Sequence, residues 1–117
     1  MVFNSDIRHV NLKEGMPTVE EARRRLLDAL EEARNDGAAA LILIHGYGSH
    51  GVGGKIRIGI QKSLKLRLKE GKIRAFVAGE YWKYGDPTTE WMLEECPGLD
   101  TDPDLGENNP GMSVVLL

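Results

Sequence analysis

The apolar positions change period several times along the chain, and each change marks an element. From Val19 to Asn35 the set Val19, Ala22, Leu26, Leu27, Leu30 and Ala33 recurs at helical spacing. Thr18 precedes it as an N-cap, Glu21 three residues on completes a capping box, and Asp36-Gly37 closes the helix. Residues 39–45 are a branched apolar run of strand length, so the spacing predicts a buried strand. Ile56, Ile60, Leu64 and Leu68, flanked by Ile58 and Leu66, predict a second helix ending at Glu70-Gly71.

Shorter signals complete the order. Phe3 to Leu12 alternates loosely and predicts a first strand around Arg8–Leu12. Ile73–Ala78 and Gly111–Leu117 read as third and fourth strands. Between these two, residues 79–110 form a long connection punctuated by Gly85-Asp86-Pro87, Cys96-Pro97-Gly98 and Asn109-Pro110-Gly111. Within it Asp86 can cap a short helix that has Pro87 at its first position and runs to about Glu95. The order β-α-β-α-β-connection-β predicts an α/β layer with parallel strands and a last strand that runs antiparallel.

Composition narrows the class. At 117 residues with 41% hydrophobic and 28% charged content, the chain fits one globular domain, residues 1–117. No apolar run is long enough to span a membrane, and Met1 to Val10 lacks the apolar core of a signal peptide. The lone Cys96 has no internal disulfide partner and fits a reducing, cytoplasmic setting.

Charge changes the picture more. The net charge is −3, yet residues 1–84 hold all fifteen Lys and Arg against ten acids, and residues 85–117 hold eight acids and no base. A basic body with an acidic appendage suits a polyanionic partner better than the sum suggests.

Candidate chemistry gathers after the second strand. His45-Gly46-Tyr47-Gly48-Ser49-His50-Gly51-Val52-Gly53-Gly54-Lys55-Ile56-Arg57 places five glycines in nine residues ahead of a basic helix. Glycine lets backbone amides approach a ligand closely, and a helix N-terminus favours an anion. His45 reads either as an acid–base group or as a histidine that satisfies local backbone. Tyr47 can stack on a base.

Other matches fail on context. Gly46-x-Gly48-x-x-Gly51 follows the second strand and lacks the acid about 20 residues on that a dinucleotide site needs. A phosphate-binding Walker loop fails at Ser49 and Ile56, and no Gly-x-Ser-x-Gly elbow supports a hydrolase. Asp100-x-Asp102-x-Asp104 begins like a calcium loop but has Leu105 and Gly111 where glycine and glutamate belong. The three histidines lack metal spacing, so neither a metal nor a cofactor is expected.

The strand ending Ile44-His45-Gly46-Tyr47-Gly48, the glycines and the basic helix resemble the Smr (small MutS-related) domain. That family has a first motif Leu-Asp-x-His-Gly, a helix, a strand ending His-Gly-x-Gly, a helix and two strands. The resemblance covers nearly the whole chain and implies a two-layer βαβαββ sandwich with a mixed sheet, similar to the C-terminal domain of translation initiation factor three. It also implies nucleic-acid binding, DNA or RNA, with endonuclease activity. Here the first motif departs: Val10-Asn11-Leu12-Lys13-Glu14-Gly15 replaces the acid by Asn11 and the histidine by Lys13, with Glu14 inserted.

The combined reading is a nucleic-acid-binding domain with weak or lost cleavage. Its contacts would be Gly46, Tyr47, Gly48, Gly51, Gly53, Gly54, Lys55, Arg57 and Lys13, with any catalysis resting on His45. The alternative is a protein-interaction module that docks a partner through the acidic insertion at about 81–110, using Trp82, Trp91 and Met92. A further expectation is that residues 86–107 compete with nucleic acid for the basic face.

Overall fold

In the computed structural model, which describes residues 6–47 and 52–117, the chain forms a four-stranded mixed sheet. The elements are β1 (Ile7–Asn11), α1 (Val19–Asn35), β2 (Ala40–Ile44), α2 (Val52–Lys69), β3 (Ala75–Ala78), α3 (Pro87–Glu95) and β4 (Met112–Leu116). Short 3₁₀ segments, Gly79–Tyr81 and Pro97–Thr101, flank α3. The strand order is β1-β2-β4-β3. β1 runs parallel to β2, with Ile7 opposite Ala40, and β4 runs antiparallel to both β2 and β3. The antiparallel last strand predicted from the sequence is therefore inserted between β2 and β3.

Local signals act where the chain carries them. Thr18 Oγ1 accepts from the Glu21 amide at 3.1 Å and donates to Glu21 Oε1 at 3.2 Å, which fixes the start of α1. Asp86 caps α3 through the Thr89 amide at 2.9 Å, with Pro87 at the first position. α2 begins at Val52, ahead of the predicted start, and takes Gly53 and Gly54 into its first turn. The first N–H groups of a helix need no intrahelical partner, so glycine's low propensity costs least there. β3 begins at Ala75 rather than at Ile73; Ile73 instead buries its side chain in the core just ahead of the ladder.

Both faces of the sheet are covered. Leu41, Leu43, Val115 and Leu12 pack against Ala22, Leu26 and Leu30 of α1 and Ile56, Ile60 and Leu64 of α2. The alternate residues Ala40, Ile42, Ala75, Val77, Met112, Val114 and Leu116 pack against Trp82, Met92, Cys96 and Leu99 from the connection. The two-layer βαβαββ frame is present, and residues 79–111 lay a further layer on its second face. The acidic stretch is thus a structural cover, not an appendage. Trp82 and Met92, expected as partner contacts, are fully buried; Trp91 is half-exposed beneath the Arg74 guanidinium, which lies 5.2 Å from its ring. No described helix is long and apolar enough to cross a membrane.

Candidate nucleic-acid interface

The carboxyl ends of β1, β2 and β3 and the start of α2 meet at one edge of the sheet, the position where open α/β sheets bind ligands. β2 delivers His45 there and turns at Gly46, whose φ of +74° a side-chain-bearing residue rarely adopts. The amides of His45 and Gly46 both donate to the Gly111 carbonyl, at 2.9 and 3.0 Å, which ties the turn to the start of β4. A Cβ on Gly111 would stand 3.2 Å from Asn109 Oδ1, tighter than an ordinary contact, and in van der Waals contact with Gly46 Cα at 3.4 Å.

His45 lies inside this junction and is buried, with 1% exposure. Its Nδ1 is 2.7 Å from the Gly46 carbonyl, which can only accept, so Nδ1 carries the proton. Nε2, 2.9 Å from Ser113 Oγ, then accepts from the hydroxyl in the neutral ring. Burial lowers the ring's pKa from the ordinary 6.5, and the Arg57 charge lowers it further; the Gly46 carbonyl and Glu80 oppose the shift. The arrangement holds a neutral imidazole with both nitrogens engaged.

Lys13, from the altered first motif, is at the same edge. Asn11 Oδ1 accepts from the Lys13 amide at 3.0 Å and the Leu12 amide donates to the Ile44 carbonyl at 2.8 Å, fixing the exit of β1 against β2. The Lys13 side chain then lies across the turn, its Cδ 3.4 Å from the position a Cβ on Gly46 would take. Tyr47 is 55% exposed, and its carbonyl sits 3.8 Å from the equivalent position on Gly54 in the first turn of α2.

Of the residues expected to bind phosphate, Lys13, Gly46, Tyr47, Gly54 and Lys55 gather here, with Lys55 exposed and Gly53 within the first turn of α2. Gly48 and Gly51 lie outside the described residues. Arg57 stands within electrostatic reach of His45 but is paired with an acid. Its guanidinium reaches Glu80 Oε1 at 3.6 Å, and Arg57 Nε and Glu80 Oε2 are buried without hydrogen-bond partners among the described residues. Sequence reasoning missed Ser113, Gly111 and Glu80. Gly111 opens an apolar strand after Asn109-Pro110, and a glycine there was the one visible sign of a close backbone approach.

Among the described residues no group of three or more His, Cys, Asp or Glu is placed to hold a metal ion.

Comparison with known proteins agrees with this frame. The family model described as the Smr domain matches residues 11–90. The crystal structure of the Smr domain of Thermus thermophilus MutS2 is similar at 27% sequence identity, covering 94% of this chain and 96% of that one, with a TM-score of 0.58. Among curated proteins, none matches in sequence.

Proposed function

Because the chain belongs to the Smr domain family, a family associated with nucleic-acid binding and nuclease activity, we propose that it binds nucleic acid at the carboxyl edge of its sheet. The observation that carries this reading is Lys13 lying across Gly46 beside the first turn of α2. An ammonium, the glycine that opens the turn and a helix N-terminus converge on one surface that favours a phosphate oxygen. Lys55 adds a second cation, and exposed Tyr47 offers a stacking face.

Cleavage is the weaker part of the family's chemistry in this chain. The first motif has neither its carboxylate nor its histidine, and the remaining His45 is buried with both ring nitrogens bonded. His45 acts here as a positioning residue that holds the turn against β4.

The test is a binding titration by fluorescence anisotropy with single-stranded and duplex DNA and RNA. Nicking of supercoiled plasmid and cleavage of labelled RNA are read alongside, with and without magnesium. Salt-sensitive binding, weakened in the Lys13→Gln/Lys55→Gln variant and accompanied by no cleavage, is the expected result. Cleavage abolished by His45→Ala but retained by Ser113→Ala would overturn the positioning role and give the ring an acid–base one. Wild-type protein that binds no nucleic acid refutes the reading altogether.

A further inference from the structure

The outer face of α2 is not absorbed by the turn. At about 100° per residue, Lys55, Ile58, Lys62, Lys65, Leu66 and Lys69 fall within an arc of about 100°, opposite the buried Ile56, Ile60 and Leu64. All six are exposed. Lys55 to Lys69 spans about 21 Å of helix. α2 contains six cations and no acid, and none of these four lysines has an ion-pair partner among the described residues.

The fold does not require this arrangement. α1 packs on the same face of the sheet, yet its exposed surface mixes Glu20, Glu21, Asp28, Glu31 and Glu32 with Arg24 and Arg34. On α2 the like charges stand three and four residues apart, Lys62–Lys65 and Lys65–Lys69, where they repel. Lys55 is near the helix N-terminus, where the dipole disfavours a cation, and only Lys69 is in the last turn, where it is welcome. Charges that cost the helix stability are directed at something outside it.

We infer that the nucleic-acid interface continues from the turn along α2, with Lys55, Lys62, Lys65 and Lys69 forming a track for the phosphate backbone. This rests on the nucleic-acid reading above and extends it to a second surface. The strand meets Tyr47 and the turn at one end and leaves along the helix at the other. Ile58 and Leu66, 49% and 43% exposed, give apolar contact points between the lysines that suit sugar faces rather than a free phosphate.

The variant Lys62→Gln/Lys65→Gln/Lys69→Gln tests this, because all three side chains are solvent-facing and their loss leaves the core intact. Affinity is measured from about 50 to 200 mM salt for DNA and RNA, single-stranded and duplex, at equal length. The slope of log K against log salt should become shallower by about 2–3 units, at about 0.7–0.9 per lost contact, for whichever nucleic acid the wild type prefers. The control Arg24→Gln, an exposed cation on α1, should leave the slope unchanged. Two outcomes overturn the inference: an unchanged slope in the triple variant, or an equal per-charge loss from Arg24→Gln. A wild type that binds no nucleic acid overturns the parent reading first, so the two failures are distinct.

Discussion

Ser113→Ala tests the junction that holds the turn. The change removes one hydroxyl from a fully buried position and leaves Nε2 of His45, itself buried, without the donor now 2.9 Å away. A buried acceptor left unpaired costs about 1–3 kcal/mol, part of which is offset because alanine needs no partner of its own. A net loss of about 1–2 kcal/mol is expected. For 117 residues the entropy of unfolding is roughly 0.25 kcal/mol/K, so Tm should fall by about 4–8 °C. The same junction has a pH signature. Burial lowers the pKa of His45, so the unfolded chain binds its proton more readily than the folded one. Its contribution is complete above the unfolded value of 6.5 and is lost as pH falls from there through the folded pKa. Thermal unfolding by circular dichroism between pH 8 and pH 5 reads both effects, and His45→Gln should lose this acid sensitivity while Ser113→Ala keeps it. A Ser113→Ala Tm within about 1 °C of wild type, or a His45→Gln variant with undiminished acid sensitivity, refutes the reasoning.

Three further perturbations probe the frame around the site. Trp82→Ala empties the centre of the second face, where the indole is fully buried and donates to Asp102 Oδ2 at 2.8 Å; a loss of about 3–5 kcal/mol in urea unfolding is expected. Deleting residues 86–107 would likewise uncover that face, so the deletion should promote aggregation rather than simply free the basic surface. Gly79→Ala would place a Cβ 1.8 Å from the Asn109 carbonyl oxygen and 2.9 Å from that of Met112. Backbone must move, so a loss of about 3 kcal/mol, at the upper end of overpacking costs, is expected in the same assay.

Elements whose signals are local were legible in the sequence. Thr18 and Glu21 fixed α1 to the residue, and Asp86-Pro87 fixed α3, because a cap acts on amides within a turn of itself. The place of the connection was less legible, although a sign of it was present. β2 (Ala40–Ile44) and β4 (Met112–Leu116) are apolar at nearly every position, which means burial on both faces, and two helices cover only one. Trp82, Met92, Cys96 and Leu99 supply the other cover, but they are spread over eighteen residues of turns and short helices with no sustained period. The site was legible in part. His45 and the glycines mark its position by composition, whereas the partners Gly111, just ahead of β4, and Ser113, within it, come from more than sixty residues away, and Glu80 finds Arg57 only through the fold.

The altered first motif bears on the proposed division between binding and cleavage. A carboxylate and a histidine at the end of β1 could accept and return a proton; an amide and an ammonium cannot do so together. Asn11 has no charge to offer, and the lysine ammonium only donates. Asn11 does retain a geometric role, since its oxygen accepts from the Lys13 amide and turns the chain out of β1, which sets Lys13 across Gly46. Asn11 and Lys13 therefore put an amide and a fixed positive charge where the family's first motif has an acid and a histidine, with the exit of β1 still held against β2. The remaining histidine is consistent with that exchange. Its ring is kept neutral and buried, and its hydrogen bonds run to the protein's own Gly46 carbonyl and Ser113 hydroxyl rather than outward to a substrate. On the reading proposed above, this edge holds a phosphate rather than moving a proton, and the lysine face of α2 would extend the same surface in the same sense.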